Sequence, residues 1–323
     1  MRSPTRRWLT GVLLVGGLSA GILAPAPAHA DVLDLQLQRL VPPPVMGGFA
    51  DPTAPAVQAM YRQLVSELSV AIAPKILTTA DTIGYSGFQF SFDASFTNIN
   101  NTAQAWQQGV EGKNGAQGTA GIPNMVTTFS VYARKGIWLP LPSFEIGAGA
   151  TKLMQSDIFA VQVYGKFALH EGFHDWPIPS LAVRGSGLRV MGASQIDLTM
   201  AQIDAEISKS FGLGGTVTLT PYIGAAVLLI IARGQVLDTT PAVDSYKLGP
   251  SSLDLNNNAV FPNQDTIVRY RVFGGFRLQY SVLVLTADFI FTGHGDYFNA
   301  GETKIPDNAI NQYTTSVSAG LLF

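Results

Sequence analysis

Apolar and polar residues alternate along the last eleven residues of the chain. Every second position forms one mainly apolar row, which consists of Tyr313, Thr315, Val317, Ala319, Leu321 and Phe323. The residues between them are mostly small and polar. A period of two is that of a β-strand with one apolar and one polar face. Ten residues at roughly 3.3 Å each, tilted by about 40°, rise about 25 Å. The pattern predicts a long strand with an aromatic residue at each end of its apolar face.

Nine further segments show the same alternation from residue 83 onwards. The ten segments span residues 83–98, 125–134, 144–150, 158–170, 181–190, 195–209, 216–231, 267–280, 282–291 and 313–323. In the fifth and sixth, the apolar residues change face midway, which predicts a β-bulge in each. The links between segments alternate between short ones and longer ones rich in Asn, Gly, Asp and Pro, so the short links would lie at one end of a barrel and the long links at the other. This pattern predicts an all-β, antiparallel barrel of about ten strands. A further strand pair within residues 232–266 would make twelve.

The closing segment resembles the last strand of bacterial outer-membrane β-barrels, which carries an aromatic residue at both membrane interfaces and ends in Phe. The resemblance covers about residues 80–323. It implies a transmembrane β-barrel in the outer membrane, with outer-membrane lipids as partners. It also implies that the barrel-insertion machinery reads Tyr313 and Phe323 as an assembly signal. The short turns, and both termini of the chain that forms the barrel, are expected in the periplasm.

Residues 1–79 precede the predicted barrel. Arginines before an apolar run, followed by Ala28-His29-Ala30, predict a signal peptide over residues 1–30. Residues 31–79 are expected to form a periplasmic segment with one amphipathic helix, capped by Asp51, begun at Pro52 and ended by Pro74. Its apolar stripe is Val57, Met60, Tyr61, Leu64, Leu68 and Ile72. The helix could plug the lumen, lie against the periplasmic mouth or bind a partner.

Composition and charge exclude several classes of function. The chain has 20 basic and 22 acidic residues; removing residues 1–30 removes three arginines, which leaves 17 basic residues and a net charge of about −5. Such a chain is not expected to bind nucleic acid, which attracts basic surfaces. Residues 31–323 contain no apolar run of about 20 residues, the length that a membrane helix needs. The absence of cysteine excludes disulfides and thiolate metal sites.

The alternation also assigns charged residues to the inside of the barrel. The predicted lumen-lining residues are Asp93, Arg134, Glu145, Lys166, Arg184, Asp204, Glu206, Arg269, Arg271, Arg277 and Asp288. Charges in a narrow barrel persist only when they are paired or hydrated. We expect either a lattice of ion pairs or a narrow polar lumen. The predicted function is a narrow pore for small solutes; the alternative is a structural or adhesive barrel that acts through its extracellular loops, and the third is an outer-membrane hydrolase.

Two short motifs suggest chemistry. His170-Glu171-Gly172-Phe173-His174 matches the H-E-x-x-H pattern of zinc proteases, but that pattern needs a helix, and here it follows a strand and contains Gly172. His294-Gly295-Asp296 begins an outer loop, where barrel proteases carry acid and His residues, but we find no second acidic pair. We therefore expect no enzyme activity, no metal and no cofactor. The oligomeric state stays open.

Overall fold

Ten long strands form the body of the protein in a computed structural model, which describes residues 31–42, 51–112, 121–138, 143–172, 178–238, 258–300 and 303–323. They are β1 (Phe88–Asn98), β2 (Met125–Ile137), β3 (Phe144–Leu153), β4 (Phe159–His170), β5 (Ser180–Met191), β6 (Ile196–Ser208), β7 (Val217–Gly234), β8 (Ile267–Tyr280), β9 (Leu283–Thr292) and β10 (Gln312–Leu322). Each strand pairs antiparallel with the next, and β10 pairs with β1. The predicted ten-stranded closed barrel is confirmed.

The alternative of twelve strands is excluded because β7 pairs directly with β8. Between them, Val236–Asp238 and Asn258–Val260 form a separate two-stranded sheet. Phe298–Ala300 and Thr303–Ile305 form another, and the short strand Phe211–Leu213 extends the barrel sheet beside β7. The barrel's outer surface is apolar, as the alternation predicts: large exposed side chains on successive strands include Phe92, Phe129, Val163, Ile203, Ile223, Tyr270 and Val317.

The two ends of the barrel differ. We call the end that carries Phe323 the turn end; there, Phe88 and Phe323 exchange backbone hydrogen bonds of 2.9 and 2.8 Å. The opposite end is the loop end, where the described parts of the links 99–124, 235–266 and 293–311 lie. A short helix, α2 (Gln104–Gly109), belongs to the first of these links. Among the described helices, none is long and apolar enough to cross a membrane.

The N-terminal part of the described chain begins at the loop end. The N–H of Leu33 donates to the carbonyl of Gln155 (2.8 Å), and that of Leu37 to the side chain of Gln195 (2.6 Å). A helix, α1 (Pro55–Ile72), then lies inside the barrel, with nearly all of its side chains buried. Residues 73–83 continue through the lumen without helical structure and reach β1 at the turn end.

Residues 31–42 lie at the end of the barrel opposite Phe323. The periplasmic position expected for residues 31–79 stays a prediction. Three positions were left open for the helix, and in the structure it occupies the lumen. Helix α1 begins at Pro55 rather than Pro52, because Asp51 accepts a hydrogen bond from the N–H of Thr53 (2.9 Å) in a turn before the helix. The predicted signal peptide, residues 1–30, lies outside the described residues.

The bulges predicted in the fifth and sixth strands are wrong. Strands β5 and β6 alternate without interruption and pair in one continuous register. Their buried residues near the loop end are apolar, such as Leu188 and Leu198, whereas those nearer the turn end are charged, such as Arg184 and Asp204. The inner face therefore changes from apolar to polar while the strand keeps its parity. The register irregularity lies between β4 and β5, at Ala168 and His170.

Candidate functional site

All eleven residues predicted to line the lumen lie on the inner face of the barrel. Ten are buried, with at most 5% of their surface exposed, and Arg277 is half-buried. They belong mainly to the turn half of the lumen, which we define as the part around residues 73–83. The loop half is the part around helix α1. The two halves hold the N-terminal segment by different means.

In the turn half, cationic side chains of the barrel donate to carbonyl oxygens of residues 74–81. The pairs are Arg271 with Pro74 (3.1 Å), Arg184 with Ile76 (2.9 Å), Arg134 with Leu77 (3.2 Å), and Lys166 with Thr79 (2.9 Å) and Asp81 (3.0 Å). These four cations come from β8, β5, β2 and β4, so they surround the segment. Hydrogen bonds from charged donors are about twice as strong as neutral ones.

Oxygens of the barrel wall accept the backbone N–H groups of the same segment. The pairs are Leu77 to Asp288 (3.3 Å), Ala80 to Ser208 (3.1 Å), Thr82 to Glu171 (2.8 Å) and Ile83 to Glu145 (3.1 Å). Both kinds of contact are made to the main chain, which every sequence presents. The inner wall of the turn half therefore binds an extended peptide mainly through its backbone.

Two buried ion pairs hold the wall itself in place. Lys166 lies 3.3 Å from Glu145, and Arg184 lies 3.1 Å from Asp204, with side chains that are at most 1% exposed. Glu145 also accepts from the hydroxyl of Tyr164 (2.7 Å). A buried pair of this kind gives little net stability, but removing one partner leaves an uncompensated charge. The pairs therefore fix the donors that face the segment.

In the loop half, helix α1 contributes apolar side chains to a core that includes the N-terminal turn and the barrel wall. Leu64 and Leu68 are at most 2% exposed and pack with Leu40, Trp106 and Leu198 in one cluster. The ring of Tyr61 stacks on that of Phe261 at 4.2 Å. The Cβ of any residue other than glycine at position 109 would lie 2.4 Å from Leu64, so Gly109 permits the close approach of α2 to α1.

Glu67 joins helix α1 to two loops. Its carboxylate is fully buried and accepts from the side chain of Gln63 (3.2 Å), the N–H of Asn100 (2.8 Å), the indole of Trp106 (2.8 Å) and the N–H of Ile310 (3.3 Å). A buried carboxylate is stable when its lone pairs are occupied by donors. Glu67 therefore couples the plugging helix to the links 99–124 and 293–311.

Arginines make a second connection at the loop end. Arg269 donates to the hydroxyl of Ser66 (2.6 Å) and to the carbonyls of Gly293 (2.8 Å) and Ile310 (2.8 Å). Arg62 lies 3.9 Å from Asp307. Burial raises the pKa of the Asp307 carboxyl above its ordinary value, and the hydrogen bond from Ala309 and the nearby guanidinium groups offset this only in part.

The inner face of β9, β10, β1 and β2 carries small oxygen-bearing side chains, which we call the hydroxyl wall. Its members are Asp288, Ser316, Ser318, Ser91, Asp93, Ser95, Thr128 and Ser130, all at most 8% exposed. Within the described part of the chain, oxygens of Asp93, Ser95 and Thr128 have no hydrogen-bond partner of regular geometry. Buried polar groups normally have partners, so this wall is incompletely saturated.

The predicted assembly residues lie on the outside. Tyr313 is 46% exposed and Phe323 is 67% exposed. The ring of Tyr313 packs against Phe289 and Phe291 of the neighbouring strand. Tyr313 lies near the loop end and Phe323 at the turn end, so the two rings mark the two ends of one outward-facing row.

The zinc-like motif forms no catalytic arrangement in the described residues. The carboxylate of Glu171 accepts from the backbone of Thr82 and from the hydroxyl of Ser143 (2.7 Å), so it anchors the N-terminal segment. His174 lies outside the described residues. Within the described ranges, no three His, Cys, Asp or Glu residues are grouped so as to hold a metal ion. Nδ1 of His294 forms a hydrogen bond of 2.7 Å with the carbonyl of the neighbouring Gly295.

Sequence reasoning missed the partner of the inner charges. Residues 73–83 show neither the two-residue period of a strand nor the 3.6-residue period of a helix. No pattern in them indicates that side chains of the lumen bind their backbone. Pro74 correctly ends the helix, and a non-periodic run of eleven residues between the helix and the first strand is the one available signal. The role of Glu67 was also missed, because a glutamate on the polar face of an amphipathic helix is usually exposed.

No family model matches the chain, and no curated protein matches it significantly. Solved structures with a similar fold include Neisserial surface protein A, with 14% identity over 73% of this chain and 95% of that chain and a TM-score of 0.25. The translocator domain of autotransporter NalP from Neisseria meningitidis has 10% identity over 83% and 96%, with a TM-score of 0.30. Ail, the attachment invasion locus protein of Yersinia pestis, has 10% identity over 74% and 99%, with a TM-score of 0.25.

At these identities and TM-scores the likeness carries no argument about function. The assignment of a class rests on this chain's own features: ten antiparallel strands close, their outer face is apolar and their inner face is polar or packed on the N-terminal segment. The chain is a ten-stranded antiparallel β-barrel of the kind that its closing strand predicts.

Proposed function

We propose that the protein is an outer-membrane barrel that is closed by its own N-terminal segment and acts through the surface at its loop end. The observation that carries the proposal is the continuous set of wall contacts to the backbone of residues 74–83. This set leaves the charged wall occupied by protein rather than exposed to a solute. The loop surface comprises residues 31–42, α2 and the two-stranded hairpins.

The membrane location is supported by the outward rows of large apolar side chains on successive strands. An exposed apolar surface of this extent is typical of a protein that faces lipid. We place the turn end in the periplasm because short turns lie there in such barrels. Residues 31–42 are then at the cell surface.

Because the chain contains no cysteine, introduced thiols test this topology. Asp31 is exposed at the loop end and Thr216 at the turn end. Intact cells expressing Asp31→Cys or Thr216→Cys are treated with a membrane-impermeant maleimide. We expect labelling of the first variant only, and labelling of the second after the outer membrane is opened. Protection of Asp31→Cys in intact cells would contradict the proposal.

A narrow pore for small solutes is the second candidate. The hydroxyl wall favours it, because polar residues continue along β1 and β10 from Gln89 to Thr97 and from Ser318 to Gln312. Small side chains with unsatisfied oxygens are typical of a surface in contact with water. In this case the solute would pass beside the N-terminal segment or after the segment leaves.

Planar-bilayer conductance separates the two candidates. A disulfide between Ala80→Cys and Ser208→Cys, whose parent residues are joined by a 3.1 Å hydrogen bond, fixes the segment in place; its reduced form is the matched control. For a closed barrel we expect no steady open level in the full chain, oxidised or reduced. Conductance that appears only after reduction would support a pore gated by the segment, and conductance in both states a path beside it.

A further inference from the structure

Besides its backbone contacts, the wall of the turn half has a pocket for one side chain of the N-terminal segment. Ile76 is fully buried in an apolar cluster, whose wall residues are Tyr222, Ala226, Phe273 and Ile290. Tyr222 and Phe273 stand directly opposite Gly275 and Gly224 on the neighbouring strand. A Cβ at Gly224 would lie 2.4 Å from the ring of Phe273, and one at Gly275 would lie 2.7 Å from that of Tyr222. The two glycines therefore make room for the rings that form the pocket.

A second, smaller pocket lies on the opposite part of the wall. Ala80, four residues after Ile76, is fully buried against Ala168 and Ala182. These two alanines stand directly opposite each other on β4 and β5, so a larger side chain at position 80 would meet their methyl groups. The wall therefore selects a branched apolar residue that is followed four positions later by a small one, in addition to binding the backbone between them.

Residues 73–83 are held by contacts that water or another peptide can replace. Their main-chain hydrogen bonds exchange with those of water at a small net change in free energy, whereas helix α1 belongs to an apolar core. Leu77 has a positive φ of 32°, which is unfavourable for leucine. Gly84, at the turn end, has a φ of 79°, which glycine adopts at no steric cost. The segment therefore joins two fixed points, and it is able to swing out at the turn end while helix α1 stays.

We propose that the turn half is a binding site for an extended peptide of a periplasmic protein, and that residues 73–83 are its resident ligand. The partner's peptide carries a β-branched apolar residue and, four residues later, an alanine or a glycine. It enters at the turn end as residues 73–83 swing out, and it takes over their hydrogen bonds to the wall. Helix α1 stays in the loop half, so the barrel stays closed. The inference rests on the proposed function, which gives the turn end its periplasmic position.

Peptide binding to the full chain refolded in detergent tests the site. The probe is a fluorescent synthetic peptide of residues 73–83, and the control peptides carry Ile76→Asp or Ala80→Leu. We expect saturable binding of the parent peptide, one per barrel. Each substitution should weaken binding at least about tenfold, because it places a charge in the apolar pocket or overfills the small one.

Hydrogen exchange shows where the peptide binds. The peptide is made with heavy isotopes, so that its fragments differ in mass from those of the resident segment. When it binds, we expect exchange to rise in residues 74–83 of the protein and to stay unchanged in residues 55–72. A rise in both segments would mean that the whole N-terminal segment leaves, and it would overturn the assignment to the turn half.

The disulfide between Ala80→Cys and Ser208→Cys supplies the matched control, because it keeps the resident segment in the site. We expect the peptide to bind the reduced form of this variant and not the oxidised form. Equal binding to both forms, equal binding of all three peptides, or no saturable binding to the parent barrel would each overturn the proposal. Because peptide binding in detergent does not depend on cellular location, its failure would leave the thiol-labelling result unaffected.

Discussion

The two halves of the lumen hold the same segment by opposite means. In the loop half, helix α1 packs apolar side chains such as Leu64 against the wall, so the fit depends on the shape of those side chains. In the turn half, wall residues such as Arg184 bind the backbone of residues 74–83, so the fit depends on the wall. The comparison indicates that the barrel recognises side chains of the N-terminal segment in the loop half and mainly its backbone in the turn half.

Removing a wall cation should have the largest effect. Arg184→Ala leaves Asp204 and Glu206 buried beside a lost partner and frees the carbonyl of Ile76. We expect a loss of about 3–5 kcal/mol in the free energy of unfolding, measured by urea titration of the refolded barrel. Arg184→Lys keeps the charge and should lose less. If the Arg184→Ala barrel is as stable as the parent, the comparison is wrong, because the stability of the turn half would then not depend on the wall side chains.

Truncating an apolar side chain of the plug tests the loop half. Leu64→Ala should cost about 3 kcal/mol, because Leu64 is fully buried and leaves a cavity. The effect should be local: hydrogen exchange is expected to rise in residues 55–72 and to stay unchanged in residues 74–83. Equal acceleration in both segments would mean that the two halves open as one unit.

A smaller effect is expected from the residue that couples the plug to the loops. Glu67→Gln keeps the shape but replaces a charged acceptor of four hydrogen bonds with an amide that accepts through one oxygen. We expect a loss of about 1–3 kcal/mol and faster limited proteolysis within residues 99–112 and 303–311. Gln63→Ala is the control, because it removes the one of the four donors that belongs to helix α1 rather than to a loop. Proteolysis of the loops should stay as in the parent. Unchanged loop proteolysis in Glu67→Gln would exclude the coupling.

The smallest effect concerns Asp307. Because burial raises the pKa of its carboxyl above the ordinary value of 3.8, the folded state binds the proton more tightly than the unfolded state. Stability due to this group therefore falls as the pH rises from 3.8 through the raised pKa. The cost of burying the Asp307 carboxylate outweighs its attraction to Arg62, which lies 3.9 Å away. Asp307→Asn should therefore change stability by no more than about 1 kcal/mol at neutral pH and flatten the pH dependence in that window. A steeper dependence in the variant would contradict the assignment.

The sequence by itself determined the strands. A period of two is local, so residues 267–280 and 313–323 could be identified with their outward rows, and the eleven inner charges could be assigned to one face. The same local rule failed at Leu188 and Leu198, where apolar residues face inward. Their partner, helix α1, lies more than a hundred residues earlier in the chain, and no local pattern indicates that contact.

The tertiary structure decided what the inner charges do. Lys166 and Arg184 form buried ion pairs, but alternation fixes the face of a side chain and not its partner, so it could not distinguish a lattice of ion pairs from a pore lining or from a wall that binds a segment. Threading residues 73–83 through the closed barrel brings backbone carbonyls to these cations, and a backbone carries no signature in the sequence. The same threading places residues 31–42 at the loop end, because a segment that enters β1 at the turn end through the lumen must come from the opposite end.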